Sequence, residues 1–141
     1  MKALLSMRFA LHGLLAIFLT MAVFHALVVV GVIPFGMVWG GQLRDQSQML
    51  TFEAVSLAVT LLLLVLVGVW AGYVKMRIPK RVMTVVFSLM FLLFLANTAG
   101  NLASNNEFEK RIFTPLTLVL AILSLRVAIG SARARQEGRR A

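Results

Sequence analysis

The sequence predicts an all-α integral membrane protein: a four-helix antiparallel bundle with both ends of the chain in the cytoplasm (N-in/C-in). Three observations predict it. First, four long apolar stretches, roughly 9–33, 50–74, 82–103 and 112–129, take up most of the 141 residues. Each is close to the ~20 residues that a helix rising ~1.5 Å per residue needs to cross the hydrocarbon. Second, the chain is 60% hydrophobic and only 13% charged, against about 45–50% and about 25% in an ordinary soluble domain. A small globule lacks the interior to hide that much apolar surface. Third, the basic residues are distributed unevenly. With a cytoplasmic N-terminus, Lys2, Arg8, Lys75, Arg77, Lys80, Arg81, Arg126, Arg133, Arg135, Arg139 and Arg140 lie inside, and of the 14 Lys and Arg only Arg44, Lys110 and Arg111 lie outside. This is the bias that sets membrane orientation. The acids Asp45, Glu53, Glu107 and Glu109 fall outside.

The first stretch has an apolar region of about 25 residues, beyond the usual 7–15 of a signal peptide, and no A-x-A-like site follows it. It is expected to remain as a span. Its helix should end near Ile33-Pro34, because proline supplies no backbone donor. The segment Pro34-Phe35-Gly36-Met37-Val38-Trp39-Gly40-Gly41 is apolar and glycine-rich. It reads as a loop lying on the bilayer surface with Trp39 at headgroup depth, or as a re-entrant turn.

Asp45 and Gln48 have the spacing of a capping box, which predicts a second helix starting near Gln46. The short link that follows, ending at Pro79-Lys80-Arg81, predicts that the second and third helices are neighbours. Ser104-Asn105-Asn106-Glu107 is a second capping box, and Thr114-Pro115 offers a further helix start. The fourth span therefore either follows a short amphipathic turn or bends at Pro115. Residues 1–130 form one transmembrane domain, and 131–141 a polar, basic cytoplasmic tail. Gly68-x-x-x-Gly72 and Ala96-x-x-x-Gly100 are weak helix-packing signals.

Composition excludes much chemistry. The net charge of +9 sits at span ends, so it suits anionic lipid headgroups rather than nucleic acid. With no cysteine in the chain, thiolate catalysis, disulfide exchange and Cys-ligated metals are excluded. No H-E-x-x-H, G-x-S-x-G, P-loop or Rossmann fingerprint is present. No metal, cofactor or catalytic motif is expected.

Polar residues at bilayer depth are costly, so their positions carry information. His25 lies in the outer half of the first span. Glu53 is near the outer end of the second, with Ser56 and Thr60 on its face at i+3 and i+7. Asn97 and Asn101 lie in the outer half of the third, and Thr114, Thr117 and Ser124 share a face of the fourth. The inner halves are almost purely apolar. Four helices can turn these faces together into an outward polar pocket above an apolar floor. An ionised Glu53 at that depth needs a cation or several donors, and His25, Arg44, Asn97 and Asn101 are the candidates. With Trp39, these residues make up the expected ligand site. The competing reading is packing glue, in which such groups hydrogen-bond across helices for ~0.6–2 kcal/mol each. His12, one turn beyond Arg8, reads as an interface histidine.

Pro34-Phe35-Gly36 with the following Gly40-Gly41, Asn101-Leu102-Ala103-Ser104, the Glu109-Lys110-Arg111 cluster and Pro115 resemble small uncharacterised bacterial four-transmembrane-helix proteins. The resemblance covers almost the whole chain and implies the four-span fold but no activity. The outward Glu and Asn positions are also similar to those of four-helix sterol-isomerase and sigma-2-receptor-like proteins, although the spacing lacks the paired acids of that group. The resulting expectation is a non-enzymatic protein of a bacterial inner membrane. It would bind or move a small amphipathic or lipid-like molecule, or support a membrane partner or a homo-oligomer. The alternative is a membrane enzyme acting on a lipid or isoprenoid-like substrate, with Glu53 and His25 as acid and base.

Overall fold

A computed structural model of the chain describes residues 6–137. Lys2, Arg139 and Arg140 of the expected basic rim lie outside them. Among the described residues the fold is all-helical, with four helices long and apolar enough to cross a membrane. They are α1 (Met7–Val29), α2 (Gln46–Ala71), α3 (Lys80–Ala103) and α4 (Thr114–Glu137), the last entered through a π-helical turn, Glu109–Phe113. Their exposed faces are apolar, with residues such as Leu19, Val55, Leu62, Val85 and Leu89 uncovered, as lipid-facing surfaces require.

Local chemistry sets the helix ends. Ser6 caps α1, its hydroxyl accepting from Phe9 N at 3.1 Å. The helix stops at Val29, earlier than Pro34 suggests, because the Val32 and Ile33 N–H groups turn back onto Leu27 O. Asp45 caps α2 as expected, Oδ1 accepting from Gln48 N at 2.8 Å, while Gln48 Oε1 accepts from Arg44 N at 2.9 Å. Gly72 ends α2 in the left-handed region at φ 87°, with Tyr73 N donating to Gly68 O. Glycine adopts that conformation without a Cβ clash. Gly68 and Gly72 therefore form a helix stop and do not pack one helix on another; the nearest side chain to Gly68 is Val74 of the following link.

The expected Ser104–Glu107 box does not form. Ser104 Oγ instead donates to Glu109 Oε2 at 2.6 Å and accepts from Asn106 N at 3.0 Å. Asn106 Oδ1 accepts from Phe108 N at 2.9 Å and so takes the capping role. Glu107 is exposed and pairs with Lys110 and Arg111. The helix then runs through Pro115, which has no N–H to give and whose ring crowds the carbonyl four residues back; the wide π turn lies just ahead of it. Helix also continues through 131–137, where a frayed tail was expected.

α1 packs against α2 and α4, and α4 packs most closely against α3. A Cβ on Gly13 of α1 would come within 2.9 Å of Leu123 Cδ1 on α4, so a larger residue here would have to displace the end of that leucine side chain. The second and third helices, expected side by side, have no extensive close approach of their backbones. The link 72–79 between them begins in a turn and bend and carries no regular structure after it; its eight residues have the reach to let the helices stand apart. They meet instead through side chains: Val67 of α2 shares one core with Met83, Phe87 and Met90 of α3, Leu11 and Leu14 of α1, and Leu120 and Val127 of α4. A smaller cluster, Val28, Val38 and Met49, lies under the 30–45 connection.

Candidate functional site

Between that core and the 30–45 connection, the four helices enclose a cavity of about 370 Å³, within the size range of small-molecule sites. Its apolar floor includes Phe18, Leu63, Phe94 and Leu120, with the Phe18 and Phe94 rings 5.7 Å apart.

Glu53 is the most buried polar group of the wall, 1% exposed. His25 Nδ1 lies 2.7 Å from its Oε2, and Trp39 Nε1 donates to Oε1 at 2.8 Å. These contacts bring together α1, α2 and the segment between them. Trp39 has φ 55°, a conformation that costs a bulky residue ~1–3 kcal/mol and persists only where the surroundings enforce it. The enforcing contacts are the bond to Glu53 and an edge contact with Phe52, ring centroids 4.9 Å apart. Val38, next to it, is buried and also lines the cavity. Val38 and Trp39 thus reach the cavity from the 30–45 connection.

On the opposite wall, Asn97 and Asn101 of α3 face the same space. Asn101 Nδ2 reaches Thr117 Oγ1 at 3.4 Å, and Thr98 Oγ1 lies 2.9 Å from the same oxygen. Thr117 in turn donates to Phe113 O at 2.7 Å, within the wide turn that leads into α4. Neither asparagine bonds to Glu53. Asn97, Ser56 and Thr60 have no side-chain hydrogen-bond partner among the described residues, although Thr60 is only 9% exposed. His25 Nε2 is likewise without a protein partner; its ring bonds through Nδ1 alone.

Glu109 is the residue that sequence reasoning missed. It is 8% exposed and lines the cavity. Beside Lys110 and Arg111 it read as a surface charge. The π turn separates them: Glu109 faces the cavity, whereas Arg111 is 80% exposed. The detectable signal was its spacing to Phe113 and Thr117, at i+4 and i+8, both of which also line the cavity.

Arg44 stands apart from the other expected site residues. It is exposed just ahead of α2 and does not line the cavity. The wall contains no Lys or Arg. Thr114 and Ser124 were expected to share a face with Thr117; their hydroxyls are buried with no partner among the described residues. His12 lies away from the cavity, bonded to Arg8 O at 2.7 Å and to the Tyr73 hydroxyl at 2.8 Å. No group of three or more His, Asp or Glu among the described residues is placed to hold a metal. No protein-family model, curated protein or solved structure matches this chain.

Proposed function

We propose that this is a non-enzymatic membrane protein that binds, or helps to move, a small amphipathic or lipid-like molecule in the cavity beside Glu53. In this reading the helices form an antiparallel bundle in a bacterial inner membrane, with both termini cytoplasmic and the cavity toward the outer surface. The positive-inside bias supports that orientation. Membrane lipids are the immediate partners, and the exposed Ala96 and Gly100 face of α3 leaves room for a second copy or another membrane protein.

One observation carries the binding reading. A buried carboxylate fixed by His25 and Trp39 shares a cavity with hydroxyl and amide groups that no protein group engages. Thr60 is buried without a side-chain partner among the described residues, and buried polar groups are ordinarily satisfied; with half-buried Ser56 and exposed Asn97 on the same wall, it suits a bound molecule. In lipid nanodiscs, a single-chain amphipath should raise the unfolding temperature of the protein. Glu53→Gln and Asn97→Ala should keep the fold and lose most of that rise. An undiminished rise in both variants would reduce the cavity to a packing defect.

A second reading, a membrane enzyme acting on a lipid-like substrate, rests on the His25–Glu53 pair. A carboxylate that orients a histidine through Nδ1 leaves Nε2 available for proton transfer. Turnover in detergent that disappears in His25→Gln would favour it.

A further inference from the structure

The cavity wall is incomplete. Val55 and Val59 on α2, and Leu93 and Asn97 on α3, line the cavity and are also exposed on the outside of the molecule. They flank the two helices whose backbones stay apart. The opening therefore lies on the side of the bundle, between α2 and α3. Its rim is apolar except for Asn97. At the end of the helices, Val38 is buried over the cavity and Trp39, bonded to Glu53 but 42% exposed, stands at its edge.

We propose that the cavity is filled sideways from the bilayer through this gap, by a single-chain lipid with an uncharged, hydrogen-bonding head such as a hydroxyl or an amide. The proposal rests on the binding reading above and specifies its ligand and its route. Three features select the head. Ser56, Thr60 and Asn97 present donors and acceptors that the protein leaves unused, and Thr60 is almost wholly buried where it does so. Among the described residues the wall has no Lys or Arg to pair with a phosphate or carboxylate head, and its two ionisable acids, Glu53 and Glu109, offer such a head no cation. Each oxygen of Glu53 already has a protein partner, Trp39 Nε1 donating to Oε1 and the His25 ring within hydrogen-bond distance of Oε2, which lessens its demand for a cation. The gap selects the tail. A cavity of about 370 Å³ holds the head and part of a chain, while the rest passes between Val55 and Leu93 into the hydrocarbon. A ligand reaching the cavity this way need not expose its tail to water, a cost of about 0.8 kcal/mol per methylene.

The test uses a photoactivatable octadecanol, with a diazirine in its chain, dissolved in phosphatidylcholine vesicles that hold the full-length protein and are washed free of aqueous probe. After illumination, the label resolved to single residues should be several-fold higher at Phe94 and Thr117, which line the cavity, than at Leu19 and Val23, which are exposed on α1. The octadecanoate counterpart should label the cavity several-fold less. Val55→Trp combined with Leu93→Trp, at exposed rim positions, should suppress cavity labelling several-fold and leave the α1 label unchanged. Equal labelling by octadecanoate overturns the uncharged head. Cavity labelling that survives the double variant, or that comes only from a photoactivatable hexanol supplied in the buffer, overturns the sideways route and leaves the binding reading standing. If neither alcohol labels the cavity above the α1 control, the binding reading falls with the proposal. The wild-type comparisons decide the matter even if the double variant does not fold.

Discussion

His25 Nδ1 and Glu53 Oε2, carried by different helices, lie 2.7 Å apart, and Trp39 Nε1 occupies the other carboxylate oxygen at 2.8 Å. Glu53→Gln retains an oxygen for the indole and an amide for the imidazole. Glu53→Ala strands both, and an unsatisfied buried group costs ~1–3 kcal/mol. Thermal unfolding in detergent should therefore show a clearly larger loss for Glu53→Ala than for Glu53→Gln. Equal losses would mean that the contacts contribute little to stability.

Trp39→Phe keeps an aromatic ring beside Phe52 but removes the N–H donor to Glu53. The residue would still adopt φ 55°, now without the bond that helps to enforce it. Amide hydrogen exchange should accelerate in the 35–41 segment and stay unchanged in α3 and α4. Acceleration spread over all helices would contradict a local anchoring role.

Ser104 and Glu107 distinguish the observed cap from the one that the sequence suggests. Ser104→Ala loses a 2.6 Å bond to Glu109 and a 3.0 Å bond from Asn106 N; leaving part-buried partners unsatisfied costs ~1–3 kcal/mol. Glu107→Ala removes only exposed ion pairs, which contribute little. Unfolding temperatures should fall for Ser104→Ala and hardly move for Glu107→Ala.

Gly72→Ala and Gly100→Ala should have opposite signs. Neither Cβ would meet another atom within 4 Å, but Gly72 has φ 87° whereas Gly100 lies inside α3. The first change costs roughly 1–2 kcal/mol of conformational strain. The second gains roughly 0.5–1 kcal/mol from helix propensity. Thermal unfolding of the two variants checks both signs.

The helices were legible because hydropathy over some twenty residues is a property of composition, which tertiary contacts do not rearrange. Asp45 was legible as a cap because its partner, Gln48, is local. What depended on partners distant in sequence was not. The second glutamate of the cavity was hidden by its charged neighbours Lys110 and Arg111, although its helical spacing to Phe113 and Thr117 placed it on their face. Ser104 chose Glu109 over Glu107. Gly68 and Gly72 show the converse: a four-residue spacing fits a packing motif and a helix stop equally well, and only the sign of φ at Gly72 distinguishes them. The separation of α2 from α3 was hidden because chain adjacency suggests contact, whereas a link of eight residues permits distance. Polar residues at similar depth, His25, Glu53, Asn97 and Asn101, could be grouped by counting from span ends. Arg44 resisted that method, since a long side chain next to a helix start has no depth that a count can assign.

The contact between His12 and Tyr73 has a mechanical consequence. Together with His25–Glu53 it ties α1 to the second rod and to the link that leaves it, at two well-separated heights. Thr98 and Thr117 stitch the other two rods to each other. The rods are thus fastened two by two, and the side aperture lies along the border that neither fastening crosses.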